Sequence, residues 1–350
     1  MGATLSGQVV FSSGKTGDYD IWCLDLCSGE LTQLTHGSHW NDKPRWSPDG
    51  RSVVYVSDQS GTPGIYKMDV VTRKAVTLVD NGRWNDFPSF SPDGKQVVYI
   101  SNEAGNNDVW LCDADGGNRR QITTHEGNDN FATWMPDGKS IVWSSERGGD
   151  ADIWQMEVMT CEKRQLNDGK GMDIQPVPSP DGKLISFVSN RSFKDHDDEW
   201  RDRDLDIWLM RADGSDLVRI TSNQGSDSCV AFSPDGRKLI YASSGAGASG
   251  ERLRIMEIGE LVDAFKGGAD VEKVAGRLRS KQVELDRTPL ENEIEARLER
   301  NTVFVALIPD FLLKPIYGTM KFGSERYPHW IAQSPLSAAA EPMAAGAAGR

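Results

Sequence analysis

The stretch Ser91-Pro92-Asp93-Gly94-Lys95-Gln96-Val97-Val98-Tyr99-Ile100-Ser101, with Asp108-Val109-Trp110 a few residues on, decides the fold. Proline fixes φ and glycine takes the positive-φ position, so Pro-Asp-Gly reads as the turn of a tight hairpin. Val97-Val98-Tyr99-Ile100 is a β-branched and aromatic run and reads as a strand. Trp110 puts a large aromatic on the following strand, where it can pack between neighbouring sheets.

Both markers recur along the chain. Ser-Pro-Asp-Gly carries Asp49, Asp93, Asp181 and Asp235, and a Met-Pro-Asp-Gly variant carries Asp137, at intervals of 44, 44, 44 and 54 residues. Asp20-Ile21-Trp22, Gly64-Ile65-Tyr66, Asp108-Val109-Trp110, Asp152-Ile153-Trp154 and Asp206-Ile207-Trp208 keep the same spacing. One unit resolves into strands a (88–91), b (96–101), c (108–113) and d (119–123). Four short strands at this period indicate a β-propeller blade rather than a helical solenoid.

The chain opens with strands b, c and d only, and four full units follow from near Pro44, Pro88, Ala132 and Pro176. A sixth begins near Val230, with strand c at 253–258, a helical excursion at 260–266 and strand d at 271–275. Tyr327-Pro328-His329-Trp330 matches Lys43-Pro44-Arg45-Trp46 and is expected to supply the missing inner strand of blade one, so that no sheet edge is left open. The expected fold is therefore all-β: a six-bladed β-propeller of four-stranded blades over residues 1–333, closed by a C-terminal strand. A small helical insertion at 276–326 carries a helix at about 288–300, and 334–350 is an Ala/Gly-rich tail expected to be disordered.

The Ser-Pro-Asp-Gly hairpin followed by Ser-Asn-x-x-Gly-x-x-Asp-(Ile/Val)-Trp resembles the PD40 (WD40-like) repeat of TolB-type propellers, over roughly residues 5–275. Propellers of prolyl oligopeptidase-like enzymes use similar repeats. The resemblance implies a periplasmic propeller that binds protein partners. The chain departs from it in the 276–326 insertion and in showing no N-terminal domain. Met1–Gly7 has no basic or apolar leader character, so the location reads as cytoplasmic as written, or periplasmic if a signal peptide has been removed.

Composition narrows the partners. Lys+Arg 39 against Asp+Glu 52 gives a net charge of -13, which argues against nucleic acid. No apolar run approaches the ~20 residues that span a bilayer. Cys23, Cys27, Cys112, Cys161 and Cys229 form no CxxC pair and read as isolated, mostly buried thiols in a reducing compartment.

Candidate functional residues lie where the repeat departs from itself, on the face that carries the b–c and d–a loops around the channel mouth. Asn41, Asn85, Asp129, Asp173 and Asp227 recur three residues before strand a, with Asp42, Asp86 and Asn130 one step later and Glu325 at the matching C-terminal place. Such a ring of oxygens suits a hard cation such as Ca²⁺, with Asp129, Asp173 and Asp227 as the metal ligands. The same residue types also cap tight turns through their own side chains. Trp40 and Trp84 hold equivalent d–a positions, suited to stacking on a sugar or to packing between blades.

The b–c loop of blade five is ten residues longer than its counterparts and brings His196 and Trp200 into a mixed charge run. It reads as a metal or acid–base site or as a solvated loop. In the insertion, Thr288-Pro289-Leu290-Glu291 is a helix start. The apolar segment 303–317 that follows carries Phe304, Ile308, Phe311, Leu312 and Tyr317, and either packs on the propeller or docks a partner or membrane surface.

No Gly-x-Ser-x-Gly elbow, P-loop, dinucleotide fingerprint or His-Glu-x-x-His helix occurs. The leading expectation is a non-catalytic scaffold that binds a protein or peptide at the channel mouth. One alternative is a carbohydrate-active lyase or hydrolase using His39, His125 or His196 with Asp129 or Asp173. Another is an accessory subunit docked through the insertion.

Overall fold

Strand b, read from its β-branched run, explains the architecture. The computed structural model describes residues 8–14, 18–25, 30–167, 169–191, 205–222, 225–243, 252–267 and 269–284. Val97 and Tyr99 pack with Val54, Val56 and Ile65 of the preceding blade. Val98 and Ile100 pack with Ile141, Trp143 and Met156 of the following one. The run has no polar alternation because both faces of the sheet are buried. Each such side chain contributes about 1.5–3 kcal/mol by leaving water. The same two-sided packing joins blade one to two through Ile21, Tyr55 and Tyr66, and four to five through Ile153, Phe187 and Met210.

The result is a six-bladed propeller of antiparallel sheets. Blades two to five have four strands in sequence order, and blades one and six show three. The inner strands are Asn41–Trp46, Asn85–Phe90, Asp129–Trp134, Asp173–Pro178 and Asp227–Phe232. The first backbone N–H of each reaches into the blade before it, as from Asn41 to the Tyr19 carbonyl (2.8 Å) and from Asp173 to that of Ala151 (2.7 Å). Blade one's inner edge, Gln8–Ser13, runs beside Asn41–Trp46. Residues 327–333, expected to complete that blade, lie outside the described residues, as do the insertion beyond 284 and the tail. A second unit of the chain, Asp197–Asp202 with Ile308–Arg350, lies wholly outside them.

The turns form as the sequence indicates. Ser91 Oγ donates to Asp93 Oδ1 (2.7 Å) and accepts from the Gln96 N–H (2.9 Å), so the turn satisfies its own polar groups. Gly94 sits at φ 70°, with Pro48 of the preceding turn against its open side.

Two expectations are corrected. Strand a begins three residues earlier than expected, because Asn85 and Asp86 already pair with Ser101 and Ile100 before the ladder slips. Residues 271–275 are helical rather than strand d. The first helix, α1, spans Gly259–Gly267 and the second, α2, Val271–Glu284. Asp270 Oδ1 caps α2 by accepting from the Lys273 N–H (3.0 Å), and Val274, Ala275 and Leu278 fall on one buried face at helical spacing.

The Asp that opens strand c is also structural. Asp108 Oδ1 accepts from Thr123 Oγ1 (3.1 Å) and Oδ2 from Gln121 Nε2 (2.9 Å), while Thr123 Oγ1 accepts from the Val109 N–H (2.9 Å). Asp20 with Thr35 and Gln33 repeats the arrangement. Burial pushes the Asp108 carboxyl up to about 6, against the opposing pull of the Thr123 and Gln121 hydrogen bonds. The folded state therefore holds this proton more tightly than the unfolded chain. The stabilisation is fully present below about pH 4 and is lost as pH rises through about 6. Urea unfolding at pH 7.5 and 5.5 tests this: Asp108→Asn should remove about 1 kcal/mol of the stability that the wild type gains on acidification. An unchanged pH response in the variant would refute the assignment.

Candidate functional site

The inner strands share a distortion that aims one side chain from each blade at the axis. In all five the ladder slips by a β-bulge, between Asp42 and Arg45 in blade two and at the equivalent places in the others. The residue inside each bulge is left-handed though none is glycine: Lys43 (φ 53°), Phe87 (47°), Phe131 (56°), Gln175 (55°) and Cys229 (58°). Each such backbone costs about 1–2 kcal/mol. Bulges of this kind re-aim side chains. Asp42 Oδ1 accepts from the Lys43 N–H (2.7 Å), Asp86 Oδ1 from the Phe87 N–H (2.8 Å), and Gln175 Oε1 from the Cys229 N–H (2.9 Å), which holds the bulges in place.

All five bulge residues line a central cavity of about 450 Å³. Two residues further along each strand, Arg45, Ser89, Thr133, Val177 and Ala231 line it as a second layer. Exposure rises along the strands. Lys43, Phe131, Gln175 and Cys229 are buried, Arg45, Ser89, Thr133 and Val177 are intermediate, and Ala231, Pro92, Pro136 and Pro180 are exposed. The described cavity is thus more open toward the Pro-Asp-Gly turns than toward the d–a loops.

The d–a end is filled by aromatics and a buried ion pair. Lys43 Nζ lies 2.7 Å from Asp86 Oδ2, the two side chains being only 2 % and 3 % exposed. The ammonium is 4.6 Å from the Phe87 ring centre and 5.2 Å from that of Trp40. Trp84 Nε1 donates to Asp86 Oδ2 (3.3 Å). Trp40 lies 6.3 Å from Trp84, and Phe87 lies 4.4 Å from Phe131.

Arg45 differs from the other cations near the axis. Among the described residues its side chain makes one hydrogen bond, from Nη1 to the Pro44 carbonyl at 3.5 Å, and no carboxylate is within ion-pair distance. Burial lowers the affinity of its guanidinium for the proton, opposed by the nearby Cys229 and Asp42. It keeps intermediate solvent contact while being densely surrounded, as befits a side chain in a channel wall.

The expected site residues divide into groups. Asn41, Asn85, Asp129, Asp173 and Asp227 are the buried first residues of the inner strands rather than free loop ligands. Asn41 Nδ2 donates to the His39 carbonyl (3.1 Å) and Asn85 Nδ2 to that of Arg83 (2.8 Å), which is the turn-capping role. Both oxygens of Asp129 accept from Arg147 Nη2 (3.1 and 2.9 Å), and Asp173 is ion-paired with Arg191. Arg147 also stacks on Trp154 at 4.6 Å and Arg191 on Trp208 at 5.3 Å. Guanidinium groups therefore neutralise two of the three carboxylates proposed for Ca²⁺, and no group of three metal-ligating side chains occurs among the described residues.

Asn130 Oδ1 accepts from Asn107 Nδ2 (2.9 Å). His39 Nδ1 lies 3.8 Å from Asp58 Oδ1, and His125 Nδ1 accepts from the Gly127 N–H (2.9 Å). Neither histidine is joined to Asp129 or Asp173. His196, Trp200, Phe304, Ile308, Phe311, Leu312, Tyr317 and Glu325 lie outside the described residues. Cys23, Cys112 and Cys229 are buried, while Cys161 is exposed.

Sequence reasoning missed the bulge ring. Lys, Phe, Phe, Gln and Cys give no hint of a left-handed backbone, and three of them precede proline, which disfavours helical conformations. The arginine pairs were legible. In two of the three inner strands that open with Asp the residue eighteen later is Arg (Asp129/Arg147, Asp173/Arg191), while Asp227 has Gly245 there; where the strand opens with Asn, that place holds Gln59 or Glu103.

The sequence model of the TolB beta propeller domain matches residues 6–86 and 70–196. A comparison with curated proteins gives no match. Among solved structures, TolB from Acinetobacter baumannii shares 24 % identity at a TM-score of 0.62, covering 73 % of this chain, which spans only 62 % of that one. A TolB of Agrobacterium tumefaciens shares 24 % at 0.59, over 72 % and 86 % of the two chains. Hydrazine synthase of Kuenenia stuttgartiensis shares 15 % at 0.55, over 80 % and 86 %. At these identities the likeness is one of fold, and the fold serves unrelated tasks.

The Lys43–Asp86 pair joins blades two and three, and removing one partner leaves a buried charge alone. Lys43→Met should cost about 3–5 kcal/mol in chemical denaturation. Adding Asp86→Asn, which keeps the cap on Phe87, should restore part of it. A double variant no more stable than Lys43→Met alone would show that the charge pairing is not what matters.

Proposed function

The chain belongs to the TolB β-propeller domain family, and from that premise we propose that it is a non-catalytic binding propeller that takes a protein or peptide segment into the axial cavity. The observation that carries the reading is the bulge ring. Five strained backbones present five side chains of which no more than two are alike, while the turns and the strand-c Asp repeat almost unchanged. Strain repeated at one place in a fold is a mark of function. The repeated residues hold the ring together, and the varied ones converge on one cavity.

The chemistry of the lining suits a peptide. Phe87, Phe131 and Trp134 offer apolar and aromatic surface, and Ser89, Thr133 and Gln175 offer polar contacts. The cavity lies within the range of about 300–1,000 Å³ typical of small-ligand sites. Against the lyase or hydrolase reading, Asp129 and Asp173 are committed to arginines rather than to a histidine.

Ala231 provides the test, because it is exposed and lines the cavity. Ala231→Trp should fill the opening without touching a blade core. Peptides selected for binding the wild-type protein from a random display library should bind this variant at least 10-fold more weakly, with the melting temperature unchanged. Selected peptides that bind both proteins equally would place the binding surface elsewhere. Failure to select any peptide would refute the peptide-binding function.

A further inference from the structure

In a chain of net charge -13, the described residues of the cavity wall include two cations and no carboxylate. Lys43 is neutralised by Asp86 behind it. Arg45 is not neutralised in this way: no acid among the described residues pairs with it. Asp42 attracts it through space, but Asp42 Oδ1 is committed to the Ser12 hydroxyl and the Lys43 N–H. A partly buried guanidinium in a densely packed wall is costly without a carboxylate beside it, and such groups are ordinarily paired. Its planar fork of donors matches a carboxylate in two-pronged fashion.

The surroundings narrow the ligand further. Arg45, Ser89 and Thr133 hold the same position in three successive inner strands, and the Ser89 and Thr133 hydroxyls lie 3.3 Å apart. Phe87 and Phe131 lie at the inner end of the cavity, and Pro92, Pro136 and Pro180 at the open end. One positive site within apolar walls fits one negative group on an apolar carrier.

We propose that Arg45 is the anion-binding residue of the axial cavity and that the cavity selects peptide segments presenting a single carboxylate flanked by apolar side chains. This deepens the peptide-binding function above and rests on it. The carboxylate comes either from a chain terminus or from an acidic side chain, and the chemistry at Arg45 is the same for both.

Three synthetic probes separate the possibilities in calorimetric titrations: acetyl-Gly-Phe with a free carboxylate, acetyl-Glu-Phe-amide and acetyl-Gly-Phe-amide. At least one acidic probe should bind the wild-type protein 10-fold or more tighter than the neutral amide, and whichever does identifies the source of the carboxylate. Arg45→Gln should abolish that preference, Arg45→Lys should retain part of it, and Lys95→Gln on the exposed turn should leave it unchanged. In thermal melts without ligand, Arg45→Met should be at least as stable as the wild type, since it removes an unpaired guanidinium.

Equal affinity of the wild type for acidic and neutral probes would overturn the role of Arg45 while leaving peptide binding intact. Absence of binding by all three probes, or a preference that survives Arg45→Gln, would also overturn it. The first of these, together with an empty peptide selection, would remove the peptide-binding function as well. The comparison of probes on the wild-type protein stands even if a variant fails to fold.

Discussion

The blades of this propeller have no cores of their own. A single four-stranded sheet presents two apolar faces, and each becomes a core only when another blade lies against it, as Val97 and Tyr99 do toward one neighbour and Val98 and Ile100 toward the other. The inter-blade hydrogen bonds from the first residue of each inner strand follow from the same dependence. Stability in such a ring is approximately a sum of neighbour interfaces. Blade one, with three described strands, therefore bears on the whole ring through its contact with Asn41–Trp46.

Close packing of blades also accounts for the bulges. Inner strands crowd at the axis, and a regular strand alternates its side chains between the two inter-blade faces. A bulge at the third residue turns one side chain out of that alternation and toward the axis. The cost of a left-handed backbone at Lys43, Phe87, Phe131, Gln175 and Cys229 is borne by blades already fixed by their neighbours. Hydrogen bonds that Asp42 and Asp86 accept from the bulge N–H groups reinforce the turn, so those acids serve the backbone rather than a ligand.

The repeat, the blade count and the hairpin turns were legible because they rest on local chemistry: proline and glycine at a turn, and β-branched residues on a strand with two buried faces. Strands b and c of the third unit fall where the sequence places them, at 96–101 and 108–113. Strand a does not, since Pro88 looks like a strand start whereas the pairing begins at Asn85. The mistake at 271–275 arose from extending the repeat where its period had already lapsed; the spacing of Val271, Val274, Ala275 and Leu278 is helical. The axial site was invisible for a different reason. It depends on backbone φ at five positions whose residue types do not announce it, and on the convergence of Arg45, Ser89 and Thr133 on one cavity, which no local pattern encodes.

Charge placement ties the site to the ring. Each Asp of a Pro-Asp-Gly turn is followed two residues later by Lys or Arg: Arg51, Lys95, Lys139, Lys183 and Arg237. The turns nearest the open end of the cavity therefore carry no net charge despite the acidity of the chain. Their aspartates are held by neighbouring groups, as Asp93 is by the Ser91 hydroxyl and the Lys95 N–H, which keep its carboxyl below the usual range. An anionic segment approaching this end meets a balanced rim and then the single positive site at Arg45. A strongly acidic segment would still be repelled by the protein as a whole, since the net charge of -13 acts at a distance that the neutral turns do not. The two scales together favour a segment that is mostly apolar and bears one negative charge, which is the composition that the aromatic and proline walls independently call for.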